Sequence, residues 1–136
     1  MRGARPELKE IEGGLLKAPP PPDALPADMH GDWQIVVADL QGRGLLHTST
    51  LGVVETFITA LWMVRQCRKA IAVDGPVVRA KDGQAKSHPA GAMLKSANET
   101  IARLGAELGL TPSARSRKGM QNPEVPVDDD AARLGI

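Results

Sequence analysis

The residue types that most often do chemistry are sparse in this chain and stand apart from one another. His30, His47 and His88 are its three histidines. None lies four residues from another or beside a carboxylate at a metal-ligand spacing, so zinc or histidine catalysis has no anchor. Cys67 is the single cysteine, which excludes an intramolecular disulfide and a cysteine-based metal cluster within one chain. Gly13-Gly14 and Gly42-Arg43-Gly44 lack the following Lys-Ser/Thr of a phosphate loop, and Ser49, Ser87, Ser96, Ser113 and Ser116 sit in no nucleophile elbow. The expectation is therefore no enzyme, no cofactor and no metal.

What remains is the chemistry of fixed positive charge. Arg115, Arg117 and Lys118 come just after Gly109, a candidate left-handed helix cap, and Thr111-Pro112, an N-cap followed by a proline at the first helical position. A helix that starts after a tight turn presents free N–H groups that suit a phosphate, and an arginine can reach two of its oxygens at once. Lys95 and Arg103, eight residues apart, fall near the same side of the preceding helix. Arg2, Arg5 and Lys9 open the chain as a flexible arm that could follow a groove. These residues suggest a surface for a polyanion or a protein partner.

The elements that must position them read as mainly helical. Met93, Ala97, Ile101, Leu104 and Leu108 recur at helical steps, giving a third helix from about Pro89 that ends at Gly109, with a fourth starting at Pro112. A first helix is expected over about 27–41, with Trp33, Val36, Val37 and Leu40 on one side and Gly42 and Gly44 ending it. A second is expected over about 50–73, after the Thr48-Ser49-Thr50 cluster of possible N-caps. Its stripe of Leu51, Val54, Ile58, Leu61, Val64 and Ile71 is widened by Val53, Phe57 and Trp62, which suggests contact with more than one neighbour, including another subunit. Val54, Phe57, Leu61 and Trp62 are the candidate interface. Asp74-Gly75 and Lys81-Asp82-Gly83 punctuate 74–88, where a short loop or hairpin with strands of about three residues fits.

Composition sets the frame around these helices. With 136 residues the chain has room for one domain plus flexible ends. Hydrophobic residues make up 42% of it, but only Trp33, Phe57 and Trp62 are aromatic, so the core must be aliphatic, which favours helix packing over a β-sandwich. The expected division is a basic, proline-rich arm over 1–26, a helical domain over 27–118 whose broad apolar faces suit oligomerisation and whose bases suit nucleic acid, and a disordered acidic tail over 119–136. Pro19 to Pro22 make the arm a stiff extended spacer outside the core. The net charge of +1 conceals a division: eight bases face three acids between 61 and 103, and four acids face one base between 120 and 136. The apolar run Leu51–Val64 is interrupted by Glu55 and falls short of the roughly 20 residues that span a bilayer, and no export signal opens the chain.

Several of these pieces together resemble a known family. The run His88-Pro89, then Lys95 and Asn98, and above all Leu108-Gly109-Leu110-Thr111-Pro112-Ser113-Ala114-Arg115-Ser116-Arg117, is similar to the closing signature of the terminase small subunits of tailed bacteriophages. In the same order come Arg2-Gly3 with Arg5-Pro6, the proline spacer, Trp33, Gly44-Leu45-Leu46 and Gly75-Pro76-Val77-Val78 with Gly83. The resemblance covers about residues 1–118. It implies a non-catalytic packaging component, α-helical and ring-forming, in the cytoplasm of the infected bacterial host. Such proteins recognise double-stranded viral DNA and recruit or regulate the large terminase subunit, which carries the ATPase and nuclease. On this reading Arg5, Lys95, Arg103, Arg115, Arg117 and Lys118 face DNA. The alternatives are a small helix-turn-helix regulator acting as a dimer, and an adaptor that holds its partner through the acidic tail.

Overall fold

The computed structural model describes Leu15 and residues 17–115. A 3-10 turn at Ala27–Met29 leads into α1 (His30–Gly42), and a second at Thr48–Thr50 leads into α2 (Leu51–Asp74). A hairpin of β1 (Val77–Arg79) and β2 (Ala85–Ser87) connects α2 to α3 (Pro89–Glu107), and a single turn, α4 (Pro112–Arg115), follows. The mainly helical expectation holds, with helix limits within about three residues of those given by periodicity. The hairpin strands pair antiparallel, Val77 with Ser87, Val78 with Lys86 and Arg79 with Ala85. Residues 1–14, and the acidic tail expected over 119–136, lie outside the described residues.

Local chemistry explains where the helices stop. After α1 the N–H of Gly44 bonds the carbonyl of Gln41 and that of Leu45 bonds Leu40; after α3 the N–H of Gly109 bonds Ala106 and that of Leu110 bonds Gly105. Both are Schellman turns, and both place a glycine at positive φ, +70° for Gly44 and +67° for Gly109. Thr111 caps α4 as expected, its Oγ1 accepting from the N–H of Ala114 at 3.2 Å. At the start of α3, His88 Nδ1 accepts from the N–H of Ala90 at 3.0 Å, so Nε2 carries the proton and donates to Asp74 at 2.8 Å. The threonine cluster before α2 behaves otherwise than expected. It forms the 3-10 turn itself, and no side chain there caps the helix.

Contacts at both ends orient the helices. Phe57, near the start of α2, lies over Gly105, near the end of α3, and Asp74 at the end of α2 meets His88 at the start of α3, so the two run antiparallel. Asp32 near the start of α1 holds Arg65 in the second half of α2 through two 3.0 Å bonds, so α1 is antiparallel to α2. At about 1.5 Å per residue, α2 with 24 residues is about 36 Å long and α1 with 13 about 20 Å. The first helix therefore covers only the proximal part of the pair. The core gathers there: Met29, Trp33, Val36, Val37 and Leu40 of the first helical segment, Leu46, then Val54, Phe57 and Ile58 of α2 and Leu104 and Leu108.

Two expectations give way to this geometry. Helical periodicity assigns Met93 to the buried stripe of α3, but it is 50% exposed, because it lies near the start of α3, beyond the reach of α1. Composition assigns the proline segment to a spacer outside the core. Instead Leu15 and Ala18 pack against the core, Leu25 is buried within it, and the N–H of Leu15 bonds the carbonyl of Leu46. Trp33 supplies the reason. Its ring is buried, its indole N–H needs an acceptor, and extended proline backbone leaves its carbonyls unused; Pro19 accepts at 3.1 Å.

Arg43 closes the proximal end. Its side chain is fully buried, pairs with Asp39 and donates from Nη2 to the carbonyl of Leu108 at 2.7 Å. Removing one partner of such a pair leaves a buried charge or carbonyl unsatisfied, so Arg43→Ala is expected to lower the unfolding free energy by about 3 kcal/mol in urea titration. The two buried glycines of the same end should respond in opposite directions. Gly109→Ala, forced to positive φ, is expected to destabilise by about 1 kcal/mol. Gly105→Ala, whose Cβ would meet Phe57 at an ordinary 3.6 Å, should stabilise α3 by about 0.5 kcal/mol in the same titration.

Candidate nucleic-acid interface

The bases expected to face DNA separate into three groups. Arg5, Arg117 and Lys118 lie outside the described residues. Lys95 and Arg103 stand exposed on α3, and among the described residues neither has a carboxylate partner. Lys95 edges a shallow groove along that helix, lined also by Gly91, Leu94, Asn98, Glu99 and Ala102. Glu99, one turn from Lys95, is the acid nearest to it in sequence on α3, so the outward side of this helix is only mildly basic.

Arg115 belongs to a different arrangement. Its Nη2 donates to Asp39 Oδ1 at 2.9 Å, while Arg43 takes Oδ2 of the same carboxylate. One acid thus holds two guanidiniums, one buried and one 41% exposed, and ties α4 back to α1. Ala114 beside it is fully buried. The described turn of α4 is docked on the body of the protein through Ala114 and the half-exposed Arg115.

The candidate interface residues also divide. Val54 and Phe57 are buried in the core of the chain itself, whereas Leu61 and Trp62 pack only partly against it and keep surface that a second copy could cover. Ile35 on α1 is 71% exposed and adds to the apolar surface outside the core.

Several charged contacts escape a reading of the sequence. Asp39 and Arg43 carry a visible signal, an acid four residues before a base on one helix. The Asp32–Arg65 pair carries none, since 33 residues separate its partners. Arg65 also donates toward Met29 Sδ, and its pKa is raised above the ordinary value, first by the hydrogen bond to Asp32 and then by the attraction of that carboxylate. In sequence, Arg68, Lys69, Arg79, Lys81 and Lys86 amount to bulk charge without a position. The structure puts Arg68 and Lys69 on the exposed distal turns of α2 and the other three on the hairpin, all exposed.

Among the described residues, no group of three or more His, Cys, Asp or Glu side chains converges as a metal site would require, and no helix is long and apolar enough to cross a membrane. The arrangement offers charge, hydrogen-bond donors and half-covered apolar surface, which serve binding. Comparison with curated proteins and with solved structures finds no match. The family model described as phage terminase, small subunit, matches residues 31–125, from the first turn of α1 to beyond α4. That span holds the whole three-helix body, the hairpin and the Leu108–Arg117 signature, and the chain belongs to the phage terminase small subunit family.

Proposed function

We propose that this chain is the non-catalytic subunit that recognises double-stranded viral DNA at the start of genome packaging, in the cytoplasm of an infected bacterium. It acts as a ring of identical copies and recruits or regulates the large terminase subunit, which supplies ATP hydrolysis and DNA cleavage. The family match across 31–125 carries this reading. Two features support it. Leu61 and Trp62 on α2 retain apolar surface for a neighbouring copy, and the exposed bases of α3 and the hairpin form no ion pair with a carboxylate among the described residues. A closed ring repeats each exposed base once per subunit, so a modest charge on one chain becomes a strong field over the assembly.

Of the residues assigned to DNA, Lys95 and Arg103 remain well suited because they are exposed and unpaired by acids among the described residues. Arg5, Arg117 and Lys118 keep that assignment from the sequence. Arg115 is reassigned to holding α4 against Asp39. A dimeric helix-turn-helix regulator is less favoured, because Ala114 and Arg115 of the described turn of α4 are engaged by the body of the protein where a recognition helix would present its side chains to DNA.

Light scattering of the purified chain at low and high salt should give one mass many times that of the monomer; a stable monomer or dimer would remove the ring. Replacing Lys95 and Arg103 with alanine should reduce the slope of log affinity for duplex DNA against log salt by about 2, roughly one per lost phosphate contact. Arg115→Ala should leave that slope unchanged and lower the unfolding free energy by about 1 kcal/mol or less, as for a partly exposed ion pair.

A further inference from the structure

The connection between α2 and α3 is longer than the fold needs. Antiparallel helices are commonly joined by about two to eight residues. Here residues 75–88 are used, and none of the hairpin side chains enters the core. Every residue from Lys81 to Ser87 is exposed. A lone two-stranded hairpin is marginal in water, yet this one is tied at each level. The N–H of His88 bonds the carbonyl of Pro76 at its base. The N–H groups of Ala80 and Gly83 bond Gln84 and Ala80 across the tip. Asp82 Oδ1 accepts from the N–H of Gln84, and Arg79 Nη1 donates to the carbonyl of Gly83. Gly75, at φ +81° and ψ 162°, makes the turn out of α2 in backbone that only glycine adopts readily.

The charge on this element is one-sided. Between 68 and 88, Arg68, Lys69, Arg79, Lys81 and Lys86 face only Asp74 and Asp82. Asp74 is engaged by His88, and Asp82 by the backbone of the tip. Among the described residues, none of the five bases has a carboxylate partner. Strand pairing sets Val77, Arg79, Ala85 and Ser87 on one face and Val78 with Lys86 on the other. The first face is exposed throughout, and Ala85 and Ser87 keep it narrow. Lys86 stands on the second face and Lys81 at the tip, both exposed, so the two ammonium groups are open to a phosphate backbone that the ribbon lies against.

We infer that the hairpin of residues 76–88 is a duplex-DNA-binding ribbon, in which Lys81 and Lys86 contact phosphates, Arg68 and Lys69 extend the basic track along α2, and Arg79 keeps the tip in shape. This rests on the DNA-recognition reading above and adds a site to it. The ribbon needs no partner fold to form, so it is presented ready-made to a polyanion.

The test is fluorescence anisotropy of the full chain with a labelled mixed-sequence DNA duplex over a series of salt concentrations. The double variant Lys81→Ala/Lys86→Ala should lose at least about tenfold in affinity at low salt and about 2 in salt slope. Lys81→Arg/Lys86→Arg should restore both, and thermal melting followed by circular dichroism should be the same for all three proteins. If the native chain binds the duplex and the alanine variant binds it equally well with an unchanged slope, the ribbon is not the site, while the DNA reading stands on α3. If the native chain binds no duplex even at low salt, both fall. A variant with intact DNA affinity that no longer binds the large terminase subunit would overturn the proposal by making the ribbon a protein-docking element.

Discussion

Arg43 carries a charge on a side chain that solvent does not reach, so its donors must find acceptors inside the protein. Asp39, one turn earlier on the same helix, is one; the carbonyl of Leu108 is another. A free carbonyl of that kind exists only where a helix ends, and the partial negative charge of a helix C-terminus favours a cation there. The need to satisfy Arg43 therefore brings the end of α1 to the end of α3, and with it fixes which part of the α2–α3 pair the first helix covers. The two Schellman turns follow the same constraint. Each reverses the chain within two residues of the guanidinium or of its carbonyl partner, so that neither helix overruns the junction.

Everything distal to that junction is held by other means. Asp32 and Arg65 mark the last clasp between α1 and α2. From that level on, α2 buries Val64 and Cys67 and α3 buries Ala97, small or moderate side chains that let two helices approach closely. The His88–Asp74 bond and the Pro76–His88 bond then close the far end. Charge follows this division. Asp39 at the junction and Asp32 at the last clasp are engaged by arginines, whereas among the described residues the distal bases have no carboxylate partner.

Features written in adjacent residues are legible in the amino-acid sequence alone: the helix limits, the Gly109 reversal, the Thr111-Pro112 cap and the three-residue strands all depend on a few neighbours along the chain. What cannot be read there depends on how helices cross. The partner of Arg115 cannot be named from sequence because the acid that engages it lies 76 residues away. Met93 matches the helical period of a buried stripe, but the period does not say where the covering helix stops. The proline run resists for a subtler reason. Its composition specifies an extended backbone correctly, and only the indole of Trp33 decides that this backbone lies against the protein.

The docked proline segment gives the molecule a direction. Leu15 is fastened to Leu46 beside the end of α1, and Arg115 is fastened to Asp39 on that same end. The described chain therefore begins and ends at one pole, and the hairpin occupies the other, about the length of α2 away, or about 36 Å. The described chain is thus a two-ended rod, with its first and last described residues gathered at one end and a basic hairpin alone at the other.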